Sequence, residues 1–477
     1  MNDRHGLSRR AAVGSRARPV LHLLCASAVV LAVASFEVFA AAPNPASAQP
    51  RYPRYRLIDL GTLGGPNGSP VFPGVVLNDR GDVIAQAGTA TPDPYPAPLQ
   101  DDALVWHGIL SNATGLVRDL GALPGTNHSL PGGISLNGLI AGFSTNGLVD
   151  PLTGFEEFRA VVWDRDLKIV DLGTLGGNMS VANQVNSQGL VVGAATNAID
   201  EDPDIAGSFL FAPAAQQVRA VLWQSGTMRD LGTLGGNDAN AVFVNESGAV
   251  TGISTTDAQV NDATGAPTTH PFVWKNGRMQ DLGTLGGTFA TTGTFIRGPW
   301  GRVMNEAGEV AGTSTLPGDD TWHAFLWSKG RMTDLGTLGG SISEAYAVND
   351  GGQVVGRARL SDVPVVRHPF LWEKGAMIDL GTLDPCTLGE ATSINANGQI
   401  VGGLGGCGSD PGAWTYFRSF YVEKGKPMVD LNSLVDPPSD LYIDEAMFIN
   451  DRGEILAGAF TPAGHTHAVL LVPMQDH

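Results

Sequence analysis

The heptapeptide Asp-Leu-Gly-Thr-Leu-Gly-Gly at residues 59–65 recurs without change at 171–177, 230–236, 281–287 and 334–340. Degenerate copies begin at Asp119, Asp379 and Asp430, so the leading aspartates follow one another at intervals of 45–60 residues. A period in this range is typical of a supersecondary unit repeated in an array. Because residues common to every copy build the repeat, any activity must depend on residues that differ between copies.

Each copy is predicted to contain four short strands, which we label A to D. In the clearest copy, from Ser343 to Leu383, four apolar runs rich in Val, Ile, Phe and Trp are bounded by Gly and Asn, as in an antiparallel meander. An Asn-x-x-Gly pattern lies between A and B, where the Asn side chain can accept a downstream backbone N–H. These pairs are Asn78/Gly81, Asn186/Gly189, Asn245/Gly248, Asn305/Gly308, Asn349/Gly352, Asn395/Gly398 and Asn450/Gly453.

Strand C carries a repeated tryptophan, which we expect in the core between neighbouring copies rather than in a ligand site. We place it at Trp106, Trp163, Trp223, Trp274, Trp327 and Trp372, with Val422 and Leu471 at that position in the last two copies.

The ends of the repeat array are complementary. Residues 55–60 form a lone D strand, and the last copy supplies A, B and C with no D after it. Radial closure leaves only short, protected sheet edges. We therefore predict an all-β fold over residues 55–474, an eight-bladed β-propeller of four-stranded antiparallel blades closed by the N-terminal D strand. The alternative is an open solenoid, which would expose two unlike edges.

The N-terminus has the pattern of an export signal. A basic region with five arginines precedes an apolar run over about residues 20–39, and Ala46-Ser47-Ala48 offers a cleavage site. We predict a signal peptide at 1–48, a short linker at 49–54, and a secreted or periplasmic protein without a later membrane span. A retained membrane anchor is the alternative.

The charge of the chain excludes some partners. The whole chain has 29 Lys/Arg and 47 Asp/Glu, a net charge of −18. Without the five basic and two acidic residues of 1–48, the remainder has 24 bases and 45 acids, a net charge near −21. This argues against nucleic acid or an anionic membrane as partner.

The predicted mature chain keeps two cysteines, Cys386 and Cys407, which an exported protein is expected to pair as a disulfide.

His323-Ala324-Phe325 precedes a strand-C tryptophan, with variants of the tripeptide at His270, His368 and His467. Together with the downstream heptapeptide, this resembles the extracellular HAF-repeat family, named for that tripeptide. Arg159, Arg219 and Arg418 replace the histidine in three copies, and the first copy has Asp102 nearby. The resemblance implies an exported bacterial repeat protein of no established activity.

The aspartates that begin the heptapeptide copies and the histidines of the tripeptide both resemble metal ligands, but a structural role fits each set better. An Asp directly before a Gly-rich turn more often accepts local backbone N–H groups. Arginine does not bind metals, so a hydrogen-bonding role common to His and Arg explains the second set. Asp200–Asp204 has the carboxylate spacing of a calcium loop but lacks the Gly and the final Glu of an EF-hand. We predict neither a metal site nor a cofactor.

The candidate ligand residues are Trp300, Glu344, Glu390 and Glu445, each five residues before the position of the A–B turn Asn. The other four copies have Pro73, Leu130, Val181 and Asn240 at this position. In a propeller it lies near the mouth of the central channel, on the face of the variable B–C loops. We expect the three carboxylates to be exposed there, suited to a cation, a basic peptide or a sugar.

These features favour an exported binding or interaction module, whose ligand face is formed by the B–C and D–A loops. We expect a monomer with an unknown extracellular partner: a glycan, a peptide or another protein. The sequence lacks a nucleophile elbow, a metal-ligand histidine spacing and a phosphate loop. The main alternative is a carbohydrate-active hydrolase or lyase using the mouth carboxylates, and the third is a structural surface protein.

Overall fold

The computed structural model describes residues 51–474, apart from 72–73, 95–101, 151–153, 155, 202–215, 262–264, 295–300 and 408–417. The predicted signal peptide, Trp300 and most of the acidic loop at 200–204 therefore lie outside the described residues, as do large parts of several B–C loops.

The described strands form six separate four-stranded antiparallel sheets and one eight-stranded sheet, in which a single parallel bridge between Arg367 and Leu388 joins two further four-stranded antiparallel units. We call these units blades 1 to 8. Strand β1 (Tyr55–Asp59) comes first in the chain and belongs to blade 8. Blade 1 contains β2 (Gly64–Ser69), β3 (Val83–Pro92), β4 (Leu104–Ser111) and β5 (Arg118–Asp119). Blade 2 contains β6 (Ser129–Ile134), β7 (Ile140–Val149), β8 (Glu156–Trp163) and β9 (Ile169–Asp171). Blade 3 contains β10 (Gly176–Val185), β11 (Val191–Asp200), β12 (Gln216–Gln224) and β13 (Thr227–Asp230).

Blade 4 contains β14 (Ala239–Val244), β15 (Val250–Val260), β16 (Pro267–Lys275) and β17 (Arg278–Asp281). Blade 5 contains β18 (Ala290–Thr292), β19 (Val310–Thr315), β20 (Trp322–Ser328) and β21 (Arg331–Asp334). Blade 6 contains β22 (Ser343–Val348), β23 (Val354–Asp362), β24 (Val365–Glu373) and β25 (Ala376–Asp379). Blade 7 contains β26 (Leu388–Ile394), β27 (Ile400–Gly405), β28 (Arg418–Val422) and β29 (Val429–Asp430). Blade 8 contains β30 (Tyr442–Ile449), β31 (Ile455–Phe460), β32 (Thr466–Pro473) and β1.

The N-terminal strand completes the last blade. β1 pairs antiparallel with β32, from Tyr55 opposite Pro473 to Asp59 opposite Val469. The Asp59 carboxylate also lies 3.0 Å from Nδ1 of His467. The predicted fold class, a β-propeller closed by an N-terminal D strand, is confirmed.

The turn asparagines link successive blades. Oδ1 of Asn349 accepts the N–H groups of Gly351 and Gln353, both at 3.0 Å, and its Nδ2 donates to the carbonyl of Asn395 in the next blade at 3.0 Å. The same inter-blade bond joins Asn186 to Asn245, Asn245 to Asn305, Asn305 to Asn349, Asn395 to Asn450, and Asn450 to Asn78. The Asn-x-x-Gly pattern therefore fixes both the turn and the contact with the neighbouring blade.

The repeated histidines and aspartates form pairs across strands C and D. His270 Nδ1 lies 2.9 Å from the Asp281 carboxylate, which also accepts the N–H of Gly283 at 2.7 Å. Partial burial opposes ionisation of Asp281, but these two hydrogen bonds hold its pKa below the ordinary value. The equivalent pairs are His107–Asp119, His323–Asp334, His368–Asp379, His467–Asp59, Arg219–Asp230 and Arg418–Asp430. This is the structural role predicted for both residue types.

Strand-C tryptophans pack between blades, as predicted. The buried Trp163 donates its indole N–H to the carbonyl of Leu120 in the preceding blade at 2.8 Å. The placement of Trp106 at this position is wrong. Ile109 pairs with Asp119 as Phe325 pairs with Asp334, so Ser111 occupies the tryptophan position of blade 1. Trp106 lies five residues before Ser111, and the C–D connection of blade 1 is only one residue longer than that of blade 5, so the tryptophan position of blade 1 holds a different residue type.

The predicted disulfide joins Cys386 and Cys407, 21 residues apart, in blade 7. Cys386 is buried and packs in the core of that blade with Leu388 and Leu404. In the part of the chain that the structure describes, no helix has the length and apolarity needed to cross a membrane.

Candidate functional site

The predicted mouth glutamates occupy equivalent places in the fold. Each lies on strand A, and the B-strand residue opposite it is Arg357 for Glu344, Gly403 for Glu390 and Gly458 for Glu445. The three differ in their surroundings because only one of the opposing residues is an arginine.

Glu344 belongs to a buried ion-pair network. One carboxylate oxygen accepts Nε and NH2 of Arg357 at 3.0 and 2.8 Å, and the other accepts the indole N–H of Trp322 in blade 5 at 2.9 Å. Glu344 is fully buried. The expectation that this carboxylate is exposed is wrong, because Arg357 and Trp322 replace its hydration.

Glu390 closes the same network from blade 7. Its Oε2 accepts NH1 of Arg357 and the hydroxyl of Tyr346, each at 2.9 Å. Burial and the neighbouring charge of Arg357 lower the pKa of Arg367 to about 10, although the charges of Glu390 and Glu344 act in the opposite direction. Burial and the charge of Glu390 raise the pKa of Tyr346. Glu390 is also buried, so its predicted exposure is wrong too, and both carboxylates are neutralised by arginine.

Glu445 has a different environment, on the wall of a cavity of about 380 Å³. The cavity is lined by strands A, B and C of blade 8, by the first two strands of blade 1 and by one residue of blade 2. Val71, Leu130 and Met447 form apolar parts of this lining. Leu130 is the blade 2 residue at the position equivalent to Glu445. We call this cavity the seam pocket, since it forms where blade 8, the last of the array, meets blade 1.

The seam pocket contains a second carboxylate, Asp444. Side chains of consecutive strand residues normally point to opposite faces. In blade 8 the register between β30 and β31 shifts between Ile443 and Glu445, so Asp444 is an extra residue without a cross-strand partner. Such a β-bulge redirects a side chain and is frequent next to functional sites. Burial raises the pKa of Asp444, although backbone N–H groups act in the opposite direction.

A second cavity, of about 60 Å³, lies among the A–B turns of the ring. It is lined by turn asparagines of several blades and by Phe243 and Phe448. Its rim includes Glu246, Glu306 and Asp451, whose carboxylates accept backbone N–H groups of the preceding blade. These acids therefore stabilise the turns of the ring.

A third acidic cluster joins Asp93, His128 and Glu156 between blades 1 and 2. His128 Nε2 lies 3.1 Å from Asp93, and Nδ1 accepts the backbone N–H of Trp106 at 3.2 Å. A metal on Nε2 requires the ring proton on Nδ1, where the N–H of Trp106 already points. Burial lowers the pKa of His128, which agrees with a neutral ring that donates from Nε2. The cluster therefore fits a hydrogen-bonded contact between blades 1 and 2 better than a metal site.

Sequence reasoning missed Asp444, because a bulge is visible only once the strands are paired. It also missed Arg357, which comes to lie opposite Glu344 only because the register shifts between Ala345 and Ala347. Trp300, the fourth candidate, lies outside the described residues.

Comparison with known proteins gives no family. No family model matches the chain, and no curated protein is significantly similar to it. Among solved structures, an acylaminoacyl peptidase from Pyrococcus horikoshii is similar at 10% identity and a TM-score of 0.42, over 84% of this chain and 59% of that protein. A sialidase from Trypanosoma rangeli is similar at 9% identity and a TM-score of 0.35, over 88% of this chain and 58% of that protein. A protein of unknown function from Dyadobacter fermentans is similar at 11% identity and a TM-score of 0.33, over 88% and 99% of the two chains.

Proposed function

We propose that this protein is an exported binding module and that the seam pocket is its ligand site. One observation carries the proposal: Asp444 and Glu445, at a bulge found in blade 8, both line one cavity beside apolar side chains. A volume of about 380 Å³ suits a small ligand or one residue of a larger ligand.

The chemistry of the pocket favours a polyhydroxylated or cationic ligand. A carboxyl group with a raised pKa, as in Asp444, can donate a hydrogen bond, while the side-chain oxygens of Glu445 can accept one. This combination matches a sugar diol, and the negative charge also matches an ammonium group. Apolar contact from Val71 and Met447 suits the carbon face of a sugar ring.

A carbohydrate-active hydrolase is the second candidate, supported by the same two carboxylates. A carboxylic acid of raised pKa beside an ionised carboxylate is the arrangement used in acid–base cleavage of glycosides. Glu344 and Glu390, considered for this role from the sequence, fit it poorly because both are bound to Arg357.

Screening immobilised glycans, cell-wall fragments and lysine-rich peptides for both binding and turnover tests the proposal. Glu445→Gln and Asp444→Asn should each weaken binding of a hit by roughly tenfold, the effect of losing or weakening one hydrogen bond to the ligand. Asp320→Asn, which alters an exposed carboxylate in the blade 5 B–C loop, is the control and should bind as the wild type does. Turnover that Glu445→Gln or Asp444→Asn abolishes would favour the hydrolase. Hits that bind all variants equally would refute the seam pocket as the site.

A further inference from the structure

A third cavity, of about 300 Å³, lies between blades 1 and 2, on the face of the ring opposite the seam pocket. Three arginines line it: Arg80 from the A–B turn of blade 1, Arg118 from β5, and Arg165 from the C–D turn of blade 2. The only acidic residue among the described lining residues is Asp82, so the lining has an excess of two positive charges. In a chain of net charge −18, this local excess is unusual.

Two of the guanidinium groups are held in place by one turn. Arg80 NH1 donates to the carbonyl of Leu136 at 3.3 Å, and Arg165 Nε donates to the carbonyl of Asn137 at 3.1 Å. Each group uses one of its five N–H donors in these bonds, which leaves the others for a ligand. Arg80 and Arg165 are therefore both anchored at the cavity by carbonyl groups of the A–B turn of blade 2.

Comparable arginines in other blades already have partners. Arg452, at the position of Arg80 in blade 8, lies 3.1 Å from the Glu454 carboxylate. Arg229, at the position of Arg118 in blade 3, stacks on the ring of Trp274 at 5.0 Å. By contrast, none of the three cavity arginines lies within salt-bridge distance of a described carboxylate. The cluster thus departs from the repeat in both residue type and pairing.

We infer that this cavity binds a doubly charged oxyanion, a phosphate or sulfate group. The guanidinium fork matches two oxygens of such a group, and three arginines balance its charge together with that of Asp82. The site is on the turn face and is independent of the seam pocket and of the function proposed for it.

Calorimetric titration of the mature protein with inorganic phosphate and with sulfate, at constant ionic strength, tests the inference. Arg118→Ala and Arg80→Ala should each weaken binding by roughly tenfold, as expected for the loss of a charge-assisted contact. The control variants Arg229→Ala and Glu445→Gln should bind either anion as the wild type does. Absence of binding by the wild type, or equal binding by the Arg118→Ala, Arg80→Ala and Arg229→Ala variants, would overturn the inference.

A second arm separates a free anion from an ester. Glucose 6-phosphate is titrated alongside glucose and inorganic phosphate. Binding of the ester that depends on Arg118, and is at least as tight as binding of the free ion, supports the oxyanion site and identifies an esterified ligand. Arg118-dependent binding of the free ion alone supports the site with a free anion as ligand. Ester binding that persists in Arg118→Ala contradicts the assignment.

Discussion

Glu344 and Glu445 occupy the same position in their blades, but only Glu344 faces an arginine across the strand pair. Removing one partner from a buried ion pair leaves the other charge without compensation in a medium of low polarity. The same residue type can therefore belong to the scaffold in one blade and to a cavity wall in another.

Glu344→Gln should lower the free energy of unfolding by about 3 kcal/mol or more, because Arg357 would lose a buried carboxylate that accepts two of its N–H groups. Denaturant unfolding followed by tryptophan fluorescence measures the change. Asp320→Asn, an exposed carboxylate, is the matched control and should change stability by less than about 0.5 kcal/mol. Equal stability of the two variants would show that the network does not form in solution.

Asp238 should make stability depend on pH. Burial, with the charge of Glu201, raises its pKa from 3.8 to about 7 in the folded state. The folded protein therefore keeps a proton that the unfolded chain releases, so the contribution of this group is complete below pH 3.8 and is lost as the pH rises towards about 7.

In Asp238→Asn, the amide oxygen can still accept the N–H of Val218, as the carboxyl does now at 2.7 Å. The fall in melting temperature between pH 5 and pH 8 should consequently be smaller in this variant than in the wild type. Asp320→Asn should follow the wild type at both pH values. A parallel fall in all three proteins would contradict the shifted pKa.

At the scale of elements, the disulfide cross-links two loops of blade 7 that belong to the variable loops of the repeat. It links the D–A connection entering blade 7 to the B–C loop of that blade, across a sequence separation of 21. Cys386→Ser/Cys407→Ser should lower stability by roughly 3 kcal/mol in the chain-entropy model. Calorimetry with and without a reductant measures it: the reductant should destabilise the wild type and leave the variant unchanged. A wild type that is insensitive to full reduction would contradict a stabilising role.

The strand order and the turns could be predicted from the sequence because each depends on a local pattern that repeats. The disulfide could be predicted because the predicted mature chain keeps two cysteines. The burial of Glu390 could not, because it depends on Arg357 and Tyr346, which lie in another blade. The bulge at Asp444 adds one residue within a strand and leaves no mark in the apolar pattern. The arginine cavity joins turns of two blades, whose contact becomes visible only when the ring is assembled.

At the scale of the whole molecule, closure of the ring creates the seam pocket. Val71 of blade 1 and Glu445 of blade 8 are far apart in the chain, and they meet because β1 completes blade 8 and blade 8 then packs on blade 1. The bond from Asn450 to the carbonyl of Asn78 at 2.9 Å continues the chain of turn contacts across this seam. Both the fold and the proposed ligand site depend on this one junction.

Hydrogen–deuterium exchange of the peptide containing residues 55–60 tests the closure most directly, since it requires no mutation. Its amides should be protected to the same degree as those of the D strands Arg331–Asp334 and Ala376–Asp379, because β1 pairs with β32 over its whole length. Complete exchange of this peptide within seconds, while the other D strands stay protected, would show that the N-terminal strand does not close the ring.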